Sequence, residues 1–154
     1  MISSSCENRS KIDEVNMKEL TVFINSFYDF INNDPRPEDI YGYFLNNDIY
    51  FYIQNNFDYT HRFVSNNQET QFTEFSDIIN ELHYKSKEMI RKEIAKSEFV
   101  KQEYDVPIND LFVLDYNVVY ENLETTETFF IKKVDTTYKI YSFFINYNKN
   151  WDLD

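Results

Sequence analysis

The 154-residue sequence predicts an α+β fold in which a curved, cone-like antiparallel sheet of about four strands wraps around N-terminal helices. Apolar residues in the first half recur three and four positions apart, which is typical of amphipathic helices. Residues 111–147 are instead rich in aromatic and β-branched residues and are broken by two short turns, which is typical of strands. These strands are apolar on both faces, and such strands are covered on both sides. The predicted order is helix, helix, strand, helix and then four strands.

Two helices, one strand and a loop are predicted ahead of the third helix. The first helix covers residues 12–33 and ends before Pro35, because proline disfavours a helical conformation in the residue before it. A short second helix follows at residues 37–45 and a strand at residues 49–53, for which a helical turn continuing from Leu45 is the alternative. Residues 54–71 are interpreted as a polar loop or an irregular wrap over the core. The apolar stripe of the first helix consists of Leu20, Phe23, Ile24, Phe27 and Ile31.

The third predicted helix starts at Thr73, whose hydroxyl can cap it. Lysine and arginine are frequent in its second half, where they suit the negative end of the helix dipole. They alternate with glutamates, so this surface is interpreted as a solvated helix face. The buried stripe of this helix consists of Phe75, Ile78, Ile79, Leu82, Met89, Ile90 and Ile94.

Four strands are predicted to complete the chain. In the last one, Ile140 and Phe144 are predicted to lie on one face and Tyr141 and Phe143 on the other, because side chains alternate along a strand. The predicted strands cover residues 99–106, 112–120, 126–134 and 138–145.

Composition excludes several classes of function. Gly42 is the only glycine, so the sequence lacks the glycine-rich loops that hold nucleotide phosphates. The net charge of −12 argues against nucleic-acid binding. The acidity either keeps an aromatic-rich chain in solution or meets a basic partner protein. A single cysteine excludes an intrachain disulfide and a thiolate metal cluster.

The N-terminal segment contains a sequence feature that bears on where in the cell the protein is located. Residues 1–11 are polar and are interpreted as a disordered tether or a signal remnant, ahead of one domain at residues 12–147 and a tail at residues 148–154. The run ISSSCEN around Cys6 resembles the end of a bacterial lipoprotein signal, in which the cysteine receives the lipid. The alternative is a lone surface cysteine. The expected location is the bacterial cell envelope if Cys6 is lipidated and the cytoplasm otherwise. No stretch approaches the roughly 20 apolar residues of a membrane span, so membrane contact is expected only through such an anchor.

The C-terminal strands also resemble a known superfamily. The segments ETFFIKK at residues 127–133 and YKIYSF at residues 138–143, in this order of elements, resemble the nuclear transport factor 2-like superfamily, and especially its small bacterial domains of unknown function. Tyr138 stands where those proteins usually have tryptophan. The resemblance implies a curved sheet wrapped around helices with one open end. Members include isomerase-like and dehydratase-like enzymes, ligand-binding proteins and interaction modules, so the fold does not choose the function.

The resemblance also directs attention to candidate site residues. Enzymes of the superfamily place an Asp or His with tyrosine donors in an apolar cavity, where burial raises the pKa of the carboxyl. Asp58 and His61 are the catalytic candidates here, and Asp115 is expected to face solvent. His61 and His83 lack metal-ligand spacing, so no metal and no cofactor is expected. The candidate ligand cavity consists of Tyr116, Tyr120, Phe130 and Phe144.

Three hypotheses for function follow. The preferred one is a non-catalytic binding or accessory domain, tethered in the envelope, that takes a small apolar ligand or a basic protein. The second is an isomerase-like or dehydratase-like enzyme, for which a cavity with a buried carboxylate near two tyrosine hydroxyls is the distinguishing feature. The third is an acidic inhibitor or immunity-type protein with a filled cone. The sequence is compatible with a homodimer.

Overall fold

A computed structural model describes residues 9–33, 36–47, 49–55, 60–63, 68–102 and 108–147 of the chain. It confirms the α+β fold with a curved, unclosed sheet. In chain order the elements are strand β1 (Arg9–Ser10), helix α1 (Glu14–Asn32), the one-turn helix α2 (Pro37–Ile40), strands β2 (Phe51–Asn55) and β3 (Thr60–Phe63), helix α3 (Gln68–Ser86), and strands β4 (Met89–Val100), β5 (Leu111–Tyr120), β6 (Glu124–Val134) and β7 (Thr137–Tyr147).

The described strands form one mixed sheet in the order β1-β4-β5-β6-β7-β2-β3. Neighbouring strands are antiparallel except β2 and β7, which pair in parallel. The sheet is therefore larger than the predicted four strands and is not purely antiparallel. One reason is β3, which lies inside residues that were predicted to be a loop because they are polar.

The first helix and the last three strands are confirmed. Helix α1 begins after Asp13, whose side chain accepts a hydrogen bond from the backbone N–H of Asn16, as a helix N-cap does. The predicted second helix is shorter than expected: α2 ends at Ile40 and is followed by 3₁₀ turns at Tyr41–Tyr43 and Leu45–Asn47. The first 3₁₀ turn continues the helical conformation to Tyr43, but Phe44 is extended, so the helical segment ends ahead of the predicted Leu45.

The third helix was predicted incorrectly at both ends. It begins at Gln68 rather than Thr73 and ends at Ser86, and the residues predicted as its last two turns form strand β4. Lys87 adopts a left-handed conformation with φ of 66°, and its N–H donates to the His83 carbonyl, which closes the helix without a glycine.

Two β-bulges explain why β4 looks helical in sequence. The register of β4 against β5 shifts between Met89 and Arg91 and again between Ile94 and Lys96. Each bulge adds one residue and changes which side chains share a face. The side chains on the core side of the sheet are therefore spaced alternately by three and two positions, which hides the two-residue period of a strand. They are Met89, Lys92, Ile94, Ser97 and Phe99.

Because of a third bulge, the side chains of β7 face other sides of the sheet than predicted. The register against β6 shifts so that Ser142 pairs with Phe130 but Ile140 pairs with Ile131, which leaves Tyr141 as the extra residue. As a result, Ile140 and Phe143 are both fully buried on the core side, whereas Tyr141 and Phe144 are half-buried on the other face.

The core lies between one face of the sheet and the two long helices. Phe27 of α1 packs edge-on against Phe129 of β6 and Phe143 of β7, with ring centroids 5.8 and 5.6 Å apart. Phe75 of α3 packs edge-on against Phe51 of β2 at 5.1 Å. Because these rings are fully buried, the middle of the cone is filled by side chains.

Candidate functional site

A buried carboxylate lies on the core side of β6 and is held by three hydroxyl groups. Glu127 is 1% exposed. Its Oε1 accepts a hydrogen bond of 2.8 Å from the Tyr28 hydroxyl, and its Oε2 accepts bonds of 2.9 Å from Tyr120 and 2.5 Å from Thr125. Both carboxylate oxygens are therefore engaged inside the protein.

The fold brings these four residues together from three elements. Thr125 and Glu127 are two positions apart on β6, so both face the core. Tyr120 ends the neighbouring strand β5, and Tyr28 comes from the last two turns of α1. The cluster therefore joins α1, β5 and β6.

Burial sets the proton affinities of the cluster. Loss of hydration raises the pKa of the Glu127 carboxyl above its ordinary value of 4.5, while the three hydroxyl donors and the ammonium of Lys92 oppose that rise. Burial and the adjacent carboxylate raise the pKa of Tyr28 and of Tyr120. Both tyrosines therefore stay protonated as hydrogen-bond donors throughout the physiological range.

Two further groups adjoin the cluster. The Lys92 Nζ lies 5.2 Å from the centroid of the Tyr28 ring, in a cation–π contact at the β4 side of the core. Tyr116 packs edge-on against Tyr28 with ring centroids 6.0 Å apart. Its hydroxyl is buried and has no hydrogen-bond partner among the described residues, and burial raises its pKa to about 12.

A depression open to solvent lies on the other side of Tyr120. It has a volume of about 680 Å³ and is formed where α1 and α3 end and where β4 begins. Burial lowers the pKa of His83, so its imidazole is neutral near pH 7. Its lining residues are Asn32, His83, Lys87, Glu88, Met89, Tyr120 and Glu121.

A second candidate surface lies on the face of the sheet turned away from the helices. We call it the outer aromatic surface, and it consists of the half-buried residues Tyr50, Tyr52, Phe130, Tyr141 and Phe144. Tyr52 and Phe144 stack with ring centroids 4.7 Å apart, and Phe130 meets Phe144 edge-on at 5.5 Å. A shallow groove of about 430 Å³ runs beside these rings.

The four predicted cavity residues divide between these two places. Tyr116 and Tyr120 lie on the core side of β5, next to Glu127, whereas Phe130 and Phe144 belong to the outer aromatic surface. Because successive side chains of a strand point to opposite faces, the two pairs lie on opposite faces of the sheet.

The remaining predicted site residues are placed as follows. Cys6 and Asp58 lie outside the described residues, and His61 lies in β3. Asp115, predicted to face solvent, is half-buried and accepts a hydrogen bond of 2.7 Å from the Thr128 hydroxyl. The lipid-attachment and catalytic predictions therefore stay predictions.

Sequence reasoning did not single out Glu127 as a site residue. The available signal was the alternation of side chains along a strand. Glu127, Phe129 and Ile131 are spaced two positions apart and so share one face of β6, on which Phe129 and Ile131 are fully buried. A glutamate on the apolar face of a strand needs donors nearby, because an unpaired buried charge is costly. Those donors come from parts of the chain up to 99 positions away, which is why the sequence alone could not identify them.

The described part of the chain contains neither a cluster of metal ligands nor a membrane-spanning helix. There, no group of three or more His, Cys, Asp or Glu side chains is arranged to hold a metal ion. Neither long helix in these ranges is both apolar and long enough to span a bilayer.

Comparisons with known proteins agree with the fold. No protein-family model matches the sequence, and no curated protein matches it. A nuclear transport factor 2-like protein of unknown function from Methylobacillus flagellatus KT superposes with a TM-score of 0.58 at 10% identity, over 90% of this chain and 97% of that chain. Another, from Shewanella baltica OS155, superposes with a TM-score of 0.54 at 10% identity, over 91% of this chain and 100% of that chain. The chain therefore has the nuclear transport factor 2-like fold.

Proposed function

We propose that this chain is a non-catalytic binding domain that takes a small, largely apolar molecule in the depression beside Tyr120. The observation that carries the proposal is the double role of Tyr120. Its ring lines the depression, while its hydroxyl is fixed by the buried carboxylate of Glu127. A side chain held in this way keeps its position when no ligand is bound, and such preorganisation favours binding.

The size and lining of the depression fit a small molecule. Its volume of about 680 Å³ lies within the range of roughly 300–1,000 Å³ that is usual for ligand pockets. Met89 and the ring of Tyr120 supply apolar surface, and the neutral imidazole of His83 adds a group that can donate or accept a hydrogen bond. The charged side chains of Lys87, Glu88 and Glu121 lie at the exposed rim.

The geometry of Glu127 favours a binding role over catalysis. Two tyrosine hydroxyls beside a buried carboxylate are the donor arrangement expected of an isomerase-like enzyme. A general base must, however, come within hydrogen-bond distance of a substrate proton. Both oxygens of Glu127 are engaged by protein hydroxyls, and the residue is 1% exposed. Its role in this proposal is to position Tyr120.

Titration with anilinonaphthalene sulfonate, a fluorescent probe with an apolar body, tests the proposal. The wild-type chain should bind the probe saturably with one molecule per chain under native conditions. Asn32→Trp places an indole at the rim and should weaken binding about tenfold, which corresponds to about 1.4 kcal/mol. Asn25→Trp is the matched control, because Asn25 is also exposed on α1 but does not line the depression.

Two results would contradict the proposal. One is an absence of saturable binding by a wild-type chain with a native circular dichroism spectrum. The other is equal weakening by Asn25→Trp and Asn32→Trp, which would place the probe elsewhere. The site in this depression does not require lipid attachment at Cys6, which stays a prediction from the sequence.

A further inference from the structure

We propose that the face of the sheet turned away from the helices binds a neutral oligosaccharide along a row of hydrogen-bonding side chains. The row crosses five neighbouring strands in register, from β4 through β5, β6 and β7 to β2. Four strand spacings of about 4.8 Å make it about 19 Å long, which suits a chain of several sugar units. We call it the outer polar row, and it consists of Glu93, Asn117, Thr126, Asn146 and Gln54.

Two shallow depressions make this row one continuous groove. A depression of about 370 Å³ lies along its β4 and β5 end, and the groove of about 430 Å³ beside the outer aromatic surface lies along its β7 and β2 end. Thr126 and Asn146 line both of them, so the two depressions meet at β6 and β7. Each volume lies within the range of roughly 300–1,000 Å³ that is usual for ligand sites.

The place where the depressions meet holds a buried acceptor that lacks a donor. The Oδ1 of Asn146 is buried and has no hydrogen-bond partner in the described chain. Buried acceptors normally find a donor, and a ligand hydroxyl would supply one here. The side chains of Asn117, Thr126 and Gln54 offer both donors and acceptors along the same row. Such a mixed set matches a ligand whose hydroxyl groups also donate and accept.

Aromatic rings flank the polar row at its β7 and β2 end. The next row along these strands pairs Phe144 with Tyr52, and their rings stack with centroids 4.7 Å apart. Both side chains are half-buried, so part of each ring stays open to a ligand. A sugar ring has an apolar C–H face and hydroxyl groups at its edge. It can therefore lie against these rings while its hydroxyls reach the polar row.

The charges around the groove favour a neutral ligand. The aromatic end is lined only by uncharged residues, and the charged side chains of the other end carry both signs, in Arg91, Glu93 and Glu124. The net charge of −12 repels a nucleic acid, and a basic protein would find no carboxylate at the aromatic end. A neutral sugar brings no charge that would have to be desolvated there.

An array of neutral and acidic oligosaccharides, followed by calorimetric titration of the compound that binds best, tests the inference with the full chain. We expect saturable binding of a neutral oligosaccharide, with affinity that rises from the disaccharide to the trisaccharide because the row is long. Asn146→Leu removes the central acceptor at similar volume and should weaken binding about tenfold. Asn80→Leu is the matched control, because Asn80 is exposed on α3, away from the groove.

Phe144→Leu provides a second test in case Asn146→Leu fails to fold. It keeps the position apolar but removes the flat ring, so binding should weaken roughly two- to tenfold. Tyr84→Leu is its control, because Tyr84 is 74% exposed on α3.

Three results would overturn the inference. One is an array on which the natively folded chain binds no neutral oligosaccharide, and another is binding of acidic oligosaccharides alone. The third is equal weakening by Asn80→Leu and Asn146→Leu, which would place the sugar elsewhere. The proposed ligand site beside Tyr120 lies on another part of the molecule and is probed with a different compound, so either proposal can fail without the other.

Discussion

At the scale of single residues, Glu127 explains how an aromatic interior accommodates a carboxylate. Burial of this group costs free energy, and three hydroxyl donors together with the nearby Lys92 offset part of that cost. Burial is the largest of these effects, so the pKa of the carboxyl stays above its ordinary value. The folded protein therefore binds the proton of Glu127 more tightly than the unfolded chain does.

This difference predicts how the free energy of unfolding responds to pH. Between the unfolded and folded pKa values the native state holds more protons, so the stability that Glu127 contributes falls as pH rises through that window. It is fully present below the ordinary pKa of about 4.5 and is lost once the folded carboxyl ionises. Glu127→Gln removes this titration. The free energy of unfolding of the variant minus that of the wild type should therefore increase from pH 4.5 upward and then level off.

Urea unfolding of both proteins at a series of pH values measures that difference. Subtracting the wild type cancels the contributions of the other 26 Asp and Glu residues, which both proteins share. A difference that stays constant with pH would show that the folded pKa of Glu127 equals the unfolded one. A difference that decreases with pH would show that the three donors outweigh burial.

At the scale of elements, the sequence predicts α1, β5 and β6 because their apolar periods run for many residues without interruption, and β7 because it is rich in aromatic and β-branched residues. It fails at β4, where two bulges within 12 residues replace the two-residue period by an apparently helical one. It also fails to mark the end of α3, because Lys87 takes the left-handed conformation that usually indicates glycine. Bulges and left-handed caps without glycine leave no clear signal in a single sequence.

The Tyr28 hydroxyl connects two of these elements, and its removal should be costly. It is the donor by which α1 reaches the carboxylate on β6. Tyr28→Phe leaves one oxygen of a buried carboxyl group without its donor, so we expect a loss of about 1–3 kcal/mol in the free energy of unfolding at pH 8. Tyr116→Phe is the control, because the Tyr116 hydroxyl is equally buried but has no partner in the described chain. That variant should be neutral or slightly more stable in the same urea titration.

Equal losses in the two variants would contradict this assignment. They would indicate that the cost comes from the phenol groups in general and not from the bond to Glu127. A second measurement separates the two explanations. Because Tyr28→Phe removes a donor that lowers the pKa of Glu127, the fall in stability with rising pH should extend to higher pH in this variant, whereas Tyr116→Phe should not change it.

At the scale of the whole molecule, the sequence indicates the fold but groups cavity residues that the structure places on two faces of the sheet. The order of helices and strands and the motifs of β6 and β7 are enough to indicate the nuclear transport factor 2-like fold. The predicted cavity residues lie on two faces of the sheet. Which face is buried depends on where the helices pack. Phe130 and Phe144 are as apolar as Phe129 and Phe143, so composition does not show which pair enters the core, and the bulge at Tyr141 places Phe143 on the same face as Ile140.

Phe27 tests whether these layers unfold as one unit. It is fully buried, and its ring contacts join α1 to the 3₁₀ segment through Tyr43 and Phe44 and to the sheet through Phe129 and Phe143. Phe27→Ala removes the ring where these elements meet, so it should lower the free energy of unfolding by about 3–5 kcal/mol. Phe27→Leu keeps most of the volume and should cost less than about 1.5 kcal/mol.

Urea unfolding is followed by far-ultraviolet circular dichroism and by the near-ultraviolet circular dichroism of the tyrosines. It measures the loss in the free energy of unfolding and the cooperativity of the transition. The two signals should shift together, since a ring that contacts every layer destabilises all of them at once. Val22→Ala on the same helix is the control: Val22 is 65% exposed, so a change within about 0.5 kcal/mol is expected. If the two signals separated in Phe27→Ala, α1 would be unfolding independently of the sheet. The buried cluster around Glu127 could then not hold Tyr120 in place across the whole range of native conditions.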